Sequence, residues 1–145
     1  MVVEQFQVLV DDDQQVREVL GLVLRKNGYH VNEADSGIAG LEMARKHLPD
    51  LILSDIDMPG GDGASLLRDI RRDPELKSRQ FVFLSGTTDW GSLRNSVEER
   101  ADDFLTKPVS FQALLSCMKV RFSCASISWR AEGQILGPDP LLDAA

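Results

Sequence analysis

The stretch Asp50-Leu51-Ile52-Leu53-Ser54-Asp55 decides how this chain reads. Its apolar residues run without polar alternation. That is the pattern of a strand covered on both faces, and such strands belong to parallel sheets flanked by helices. Asp55 closes the run at the carboxyl tip of the strand, where open α/β sheets collect their functional groups. Working outward, Phe6-Gln7-Val8-Leu9-Val10 is a second apolar strand, and it runs into Asp11-Asp12-Asp13. Gln80 to Ser85 is a third such run, and a short strand within Ala101 to Thr106 leads into Lys107-Pro108.

Helical periodicity fills the gaps. Asp13 offers an N-cap, followed by Val16, Val19, Leu20, Val23 and Leu24 on one face, with Asn27-Gly28 as the stop. Tyr29 to Ala34 reads as a strand. Ser36 caps a second helix carrying Ile38, Leu41, Ala44 and Leu48, and Pro49 ends it. Met58 to Gly63 is a loop by composition. A third helix over about Ala64 to Arg72 turns Leu66, Leu67 and Ile70 inward. A weaker fourth helix carries Trp90, Leu93 and Val97, and Ser110 caps a last one through Leu114, Leu115, Met118 and Phe122. Five strands, each followed by a helix, predict an α/β fold: a doubly wound five-stranded parallel sheet with helices on both faces.

The whole chain bounds the function. Its 145 residues suit one domain with a real core. A net charge of -7 argues against nucleic acid and against anionic membranes as partners. No apolar run is long enough to span a bilayer, and the N-terminus lacks the basic start of a signal peptide, so the cytoplasm is the expected compartment. Cys117 and Cys124 sit seven apart on one helix, about 10 Å of rise, which is too far for a disulfide. His30 and His47 belong to no ligand-like cluster.

The strand tips carry the chemistry. Asp11, Asp12 and Asp55 supply hard oxygen ligands of the kind magnesium favours, with manganese an alternative. Two such charges about 4 Å apart repel by roughly 4 kcal/mol at an effective dielectric of 20, and a divalent cation removes that cost. Asp55 can attack phosphorus to give an aspartyl phosphate, while Lys107 pairs with one phosphoryl oxygen and Ser85 donates to another. Taken singly, each of these residues reads as a cap, a turn residue or a solvated charge. Together, after four different strands, they point to metal-assisted phosphoryl transfer.

The motifs Val8-Leu9-Val10-Asp11-Asp12-Asp13 with Arg17, Asp50 to Gly63, Phe83-Leu84-Ser85-Gly86 and Ala101 to Pro108 resemble the receiver domain of two-component response regulators, of the chemotaxis-regulator type. The resemblance covers residues 5–125 and leaves 126–145 as a helix extension and linker or tail. It implies a flavodoxin-like strand order, 2-1-3-4-5. It makes Asp55 the phospho-acceptor, charged by a sensor histidine kinase or a histidine phosphotransfer protein. Asp11 and Asp12 become the magnesium-holding pair, and Asp57 contributes its backbone carbonyl. Lys107 becomes the family's lysine, followed by a cis proline, here Pro108. Ser85 and Phe104 become the switch residues. The face of the fourth helix, fifth strand and fifth helix then controls an output domain or partner, or a homodimer.

Asp57, Gly86 and Thr87 are expected to tune the phosphoryl lifetime. Asp57 adds a carboxylate two residues past the acceptor, Gly86 suits access, and Arg100 stands where the family often has glycine. A haloacid-dehalogenase-type phosphatase shares the Asp55-x-Asp57 spacing, but there the nucleophile strand comes first, whereas here Asp11-Asp12 precede it. A receiver acting only as a binding module is a second alternative. The apolar residues Ile127 and Trp129, beyond the domain core, favour a fragment of a larger regulator over a complete single-domain one.

Overall fold

The computed structural model describes residues 5–56, 58, 63–86 and 101–121. The chain divides into two units, the first running from Met1 to Phe111 and the second starting at Gln112. The first holds strands β1 (Phe6–Val10), β2 (His30–Ala34), β3 (Leu51–Asp55), β4 (Gln80–Ser85) and β5 (Asp103–Thr106). Helices α1 (Gln14–Lys26), α2 (Gly37–His47) and α3 (Gly63–Arg72) alternate with them. In the second unit the described residues continue a helix that spans 111–121, with Leu114, Cys117 and Met118 buried at helical spacing. The expected fourth helix, with Trp90 and Arg100, lies outside the described residues, as do Cys124, Ile127 and Trp129.

All five strands are parallel, in the order β2-β1-β3-β4-β5. This is the doubly wound, flavodoxin-like sheet the sequence implied. β3 sits at its centre and is buried at every residue, as its unbroken apolar run requires. One face builds a core from Val8, Val10, Ile52, Phe81 and Phe83 with Ala44 of α2 and Leu66, Leu67 and Ile70 of α3. α1 lies on the other face, where Leu20 and Leu24 are buried.

The caps form as read. Asp13 accepts from the amides of Gln15 and Val16, and Ser36 accepts from that of Ala39. α1 ends at Asn27, and Gly28 follows at φ +91°. Two inward faces differ from expectation. On α2, Ile38 is 64% exposed and Leu48 38% exposed. The buried residues are Gly37, Gly40 and Ala44. Small residues let this helix lie close to β1: a Cβ on Gly40 would come within 2.7 Å of Val10 Cγ2. On α1, Val19 is 47% exposed, because it walls a surface groove rather than entering the core.

Candidate functional site

The carboxyl ends of β1, β3, β4 and β5 converge. Asp11 follows β1, and its amide donates to the Ala34 carbonyl at 3.1 Å, which ties it to the end of β2. Its side chain is fully buried, with Oδ1 accepting from the Asp13 amide at 2.9 Å and Oδ2 from Lys107 Nζ at 2.8 Å. Asp12 is exposed. Asp55 is buried, and its Oδ1 accepts from the Ile56 amide at 2.9 Å while Oδ2 faces Lys107 Nζ at 3.3 Å. Carboxylate oxygens of Asp11, Asp12 and Asp55 all lie within 4.8 Å of one another. Among the described residues, this is the one acidic, His or Cys cluster with that convergence.

Burial pushes the Asp55 carboxyl above its ordinary 3.8, and the charge of Asp11 adds to the rise. Lys107 and the Ile56 amide oppose it without cancelling it. Burial works against the charge on Lys107, but the hydrogen bonds and charges of Asp11 and Asp55 outweigh it and raise its pKa above the ordinary 10.5. The site thus holds a permanent cation between two buried acids. The peptide Lys107-Pro108 is cis, as the resemblance implied, and the Lys107 amide donates to the Ser85 carbonyl at 2.7 Å.

Ser85 is buried at the tip of β4, one residue past Leu84, which pairs with Asp55. Gly86 is exposed, and a Cβ there would meet nothing within 4 Å. Phe104 is partly buried on the core, its ring 5.8 Å from that of Phe83. Asp11, Asp12, Asp55 and Lys107 are therefore brought together directly, and Ser85 shares their end of the sheet. Phe104 lies below it on β5. Asp57 and Thr87 lie outside the described residues.

The structure adds residues that the sequence left unassigned. Gly63 starts α3 hard against the acceptor: a Cβ there would overlap the Asp55 carbonyl oxygen and lie 2.9 Å from Phe83 Cε1. Ser54 Oγ donates to that same carbonyl at 2.8 Å. Arg17 Nη1 donates to the Asp11 carbonyl at 2.6 Å. The sequence signal for Gly63 was a glycine just where a helix begins, and for Arg17 a lone charge facing back to the acidic triplet.

Two cavities flank the sheet. One, of about 490 Å³, is an apolar groove beside the site, lined by Gln15, Val16, Val19, Leu20, Lys107, Pro108 and Val109. The other, of about 570 Å³, lies at the opposite end and includes His30, His47 and Tyr29 in its lining.

The family model of the response regulator receiver domain matches residues 8–119. The chain belongs to the response regulator receiver family. Among its relatives are the transcriptional regulatory protein CseB of Streptomyces coelicolor and the phosphate regulon regulator PhoB of Escherichia coli. CseB is 35% identical over 87% of this chain and 54% of that protein. PhoB is 29% identical over 92% of this chain and 59% of that protein. The receiver spans about half the length of the curated relatives it matches. A receiver domain of a signal transduction histidine kinase from Syntrophus aciditrophicus superposes with a TM-score of 0.75, at 31% identity over 82% of this chain and 90% of that one. The chemotaxis response regulator CheY4 of Vibrio cholerae gives a TM-score of 0.78, at 25% identity over 82% and 99%.

This receiver is a signalling domain of a two-component system rather than a turnover enzyme, and the phosphatase alternative finds no support among these relatives. Response regulators work with histidine kinases and with output domains. Among the described residues no helix is long and apolar enough to cross a membrane.

Proposed function

We propose that this receiver is a phosphorylation-dependent switch that accepts a phosphoryl group on Asp55 from a histidine kinase or phosphotransfer protein. The observation that carries the reading is the convergence of three carboxylates, two of them on one ammonium, with Lys107 Nζ at 2.8 Å from Asp11 and 3.3 Å from Asp55. The donor set suits a hard divalent cation, magnesium or manganese: all oxygen, clustered, and open to solvent through Asp12. Asp11, Asp12 and Asp55 would hold it, with the Asp57 backbone carbonyl as a further ligand. When bound, it supplies neutralisation of the charge that builds on the transferring phosphoryl oxygens.

The chain's own groups do the rest. The Ile56 amide fixes the rotation of the Asp55 carboxylate. A carboxylate oxygen of Asp55 forms the new P–O bond as the P–N bond to the donor imidazole breaks, and that electron pair returns to the imidazole nitrogen. Lys107 then moves from its two acids onto a phosphoryl oxygen, and Ser85 donates to another. Phe104 follows Ser85, shifting the balance between two packings of the face around the fourth helix, β5 and the last helix. That face is proposed to control an output domain, a partner or a homodimer. The domain is proposed to occupy residues 5–125 and to work in the cytoplasm. Asp57, Gly86 and Thr87 are proposed to set how fast water removes the phosphoryl group.

The test is incubation with acetyl phosphate and magnesium, followed by intact mass and oligomer size for wild type and Asp55→Asn. The expected result is a gain of one phosphoryl group that the variant lacks. No gain in wild type, together with no magnesium-dependent beryllofluoride binding, would favour the binding-module reading instead.

A further inference from the structure

We infer that Arg17 is a positioning residue for the cation site, because it clamps the peptide that joins Asp11 to Asp12. This rests on reading Asp11, Asp12 and Asp55 as that site. Adjacent residues share one peptide unit, so its orientation limits the directions in which the Cα–Cβ bonds of Asp11 and Asp12 leave the chain. β1 ends at Val10, which leaves the Asp11 carbonyl without a sheet partner. Arg17 Nη1 fills that vacancy at 2.6 Å from the next turn of chain. Asp11 is held independently through its amide and both carboxylate oxygens. Asp12 is exposed, so packing does not fix it, and the shared peptide is its main constraint.

Arg17 is itself anchored. Its Nε lies 3.8 Å from Glu33 Oε1 on β2. The other oxygen of Glu33 pairs with Arg25 Nη1 at 2.9 Å, and Arg25 Nη2 donates to the Val31 carbonyl at 2.8 Å. Gly21 makes room for this arrangement, since a Cβ there would sit 2.9 Å from Glu33 Oε2 and 3.1 Å from Arg25 Nη1. A planar guanidinium can serve a carbonyl and a carboxylate at once from fixed directions, whereas an ammonium cannot hold both with the same geometry.

The test is calorimetric titration of the full chain with Mg²⁺ alone, paired with thermal melting of the metal-free protein and the amide NMR shifts of Asp12 and Asp13. Loss of a residue that orients metal ligands typically costs roughly 10–100-fold in affinity, and that is the weakening expected for Arg17→Met. Arg17→Lys should recover part of it. Arg25→Met, which leaves the Asp11 carbonyl bond intact, should stay within about twofold of wild type by the same logic. Unchanged affinity in Arg17→Met overturns the inference, and so does an equal loss in Arg25→Met, which would signify general loosening of β2. If Arg17→Met does not fold, Glu33→Gln decides: weaker Mg²⁺ binding with a native melting transition supports the clamp, and wild-type binding refutes it. Wild-type protein that binds no Mg²⁺ removes the site reading and this inference together, whereas binding by wild type and Arg17→Met alike removes the inference only.

Discussion

Lys107 donates its ammonium to Asp11 Oδ2 at 2.8 Å, joining residues 96 apart in sequence. The bond is shorter than the 3.3 Å approach of the same ammonium to Asp55. Asp11 is fully buried, so without a metal this lysine is the cation that offsets its charge. The same arrangement makes Lys107 a competitor for any cation that Asp11 would ligate. Two unit charges about 4 Å apart interact by ~4 kcal/mol at an effective dielectric of 20, and solvent access reduces that. Lys107→Met is therefore expected to tighten Mg²⁺ binding, on the order of tenfold, while removing the partner of the phosphoryl oxygen. Titration calorimetry reads the first effect. Looser Mg²⁺ binding in the variant would mean that the lysine orders the acids rather than competing for them.

The raised pKa of Asp55 gives stability a definite pH dependence. Burial makes this carboxyl more basic in the folded chain than in the unfolded one, with Asp11 adding to the effect. The folded state then binds more protons in the window just above the ordinary value of 3.8, so stability falls as pH rises through that window, and the full cost stands at neutral pH. Lys107, raised above 10.5, keeps its charge throughout and contributes no slope there. Asp55→Asn should melt higher than wild type at pH 7, with the gap closing toward pH 4. Scanning calorimetry of metal-free protein would show it, and a gap that is constant with pH would contradict it.

Two glycines separate close approach from backbone conformation. At Gly63 an added methyl would overlap the Asp55 carbonyl and crowd the Phe83 ring, both of them backbone or core. Gly63→Ala should cost at least ~3 kcal/mol, the upper end for overpacking a core. At Gly28 nothing lies within 4 Å of the added methyl, and only the φ of +91° resists it, so Gly28→Ala should cost about 1 kcal/mol. Urea unfolding of both variants gives the comparison, and a milder effect at Gly63 would show that α3 can withdraw from the acceptor.

Strand identity was largely legible because β3 and β4 are continuous apolar runs and because Asp13, Ser36 and Gly28 punctuate the helices at the positions found, whereas the strand order was implied by the resemblance. The inward face of α2 was not legible. Hydrophobic periodicity pointed to Ile38 and Leu48, but closeness to Val10 selects the smallest residues, Gly37, Gly40 and Ala44, which carry little hydrophobic signal. The acids, Ser85 and Lys107 were legible because four strand tips bear them in one chain. Arg17, Ser54 and Gly63 act through main-chain carbonyls of Asp11 and Asp55. A sequence shows side chains but not which carbonyls lack a partner, so their part appears only in three dimensions.

If Asp55 takes its phosphoryl group from a protein donor as proposed, that donor is expected to dock on the apolar groove lined in part by Lys107. Val16, Val19 and Leu20 of α1 line it together with Pro108, Val109 and Lys107, whose ammonium lies 3.3 Å from Asp55 Oδ2. Val19 is 47% exposed on the wall of the groove, apolar surface that a partner helix would cover. Val19→Ser removes apolar surface from the groove without adding a charge beside Lys107, which also lines it. Phosphoryl transfer from the kinase or phosphotransfer protein is expected to fall at least tenfold, in line with the truncation of an interface anchor. Labelling by acetyl phosphate, which needs no docking, should stay near the wild-type rate. Equal loss with both donors would place the defect in the fold or the site, and equal retention would move the docking surface off this groove.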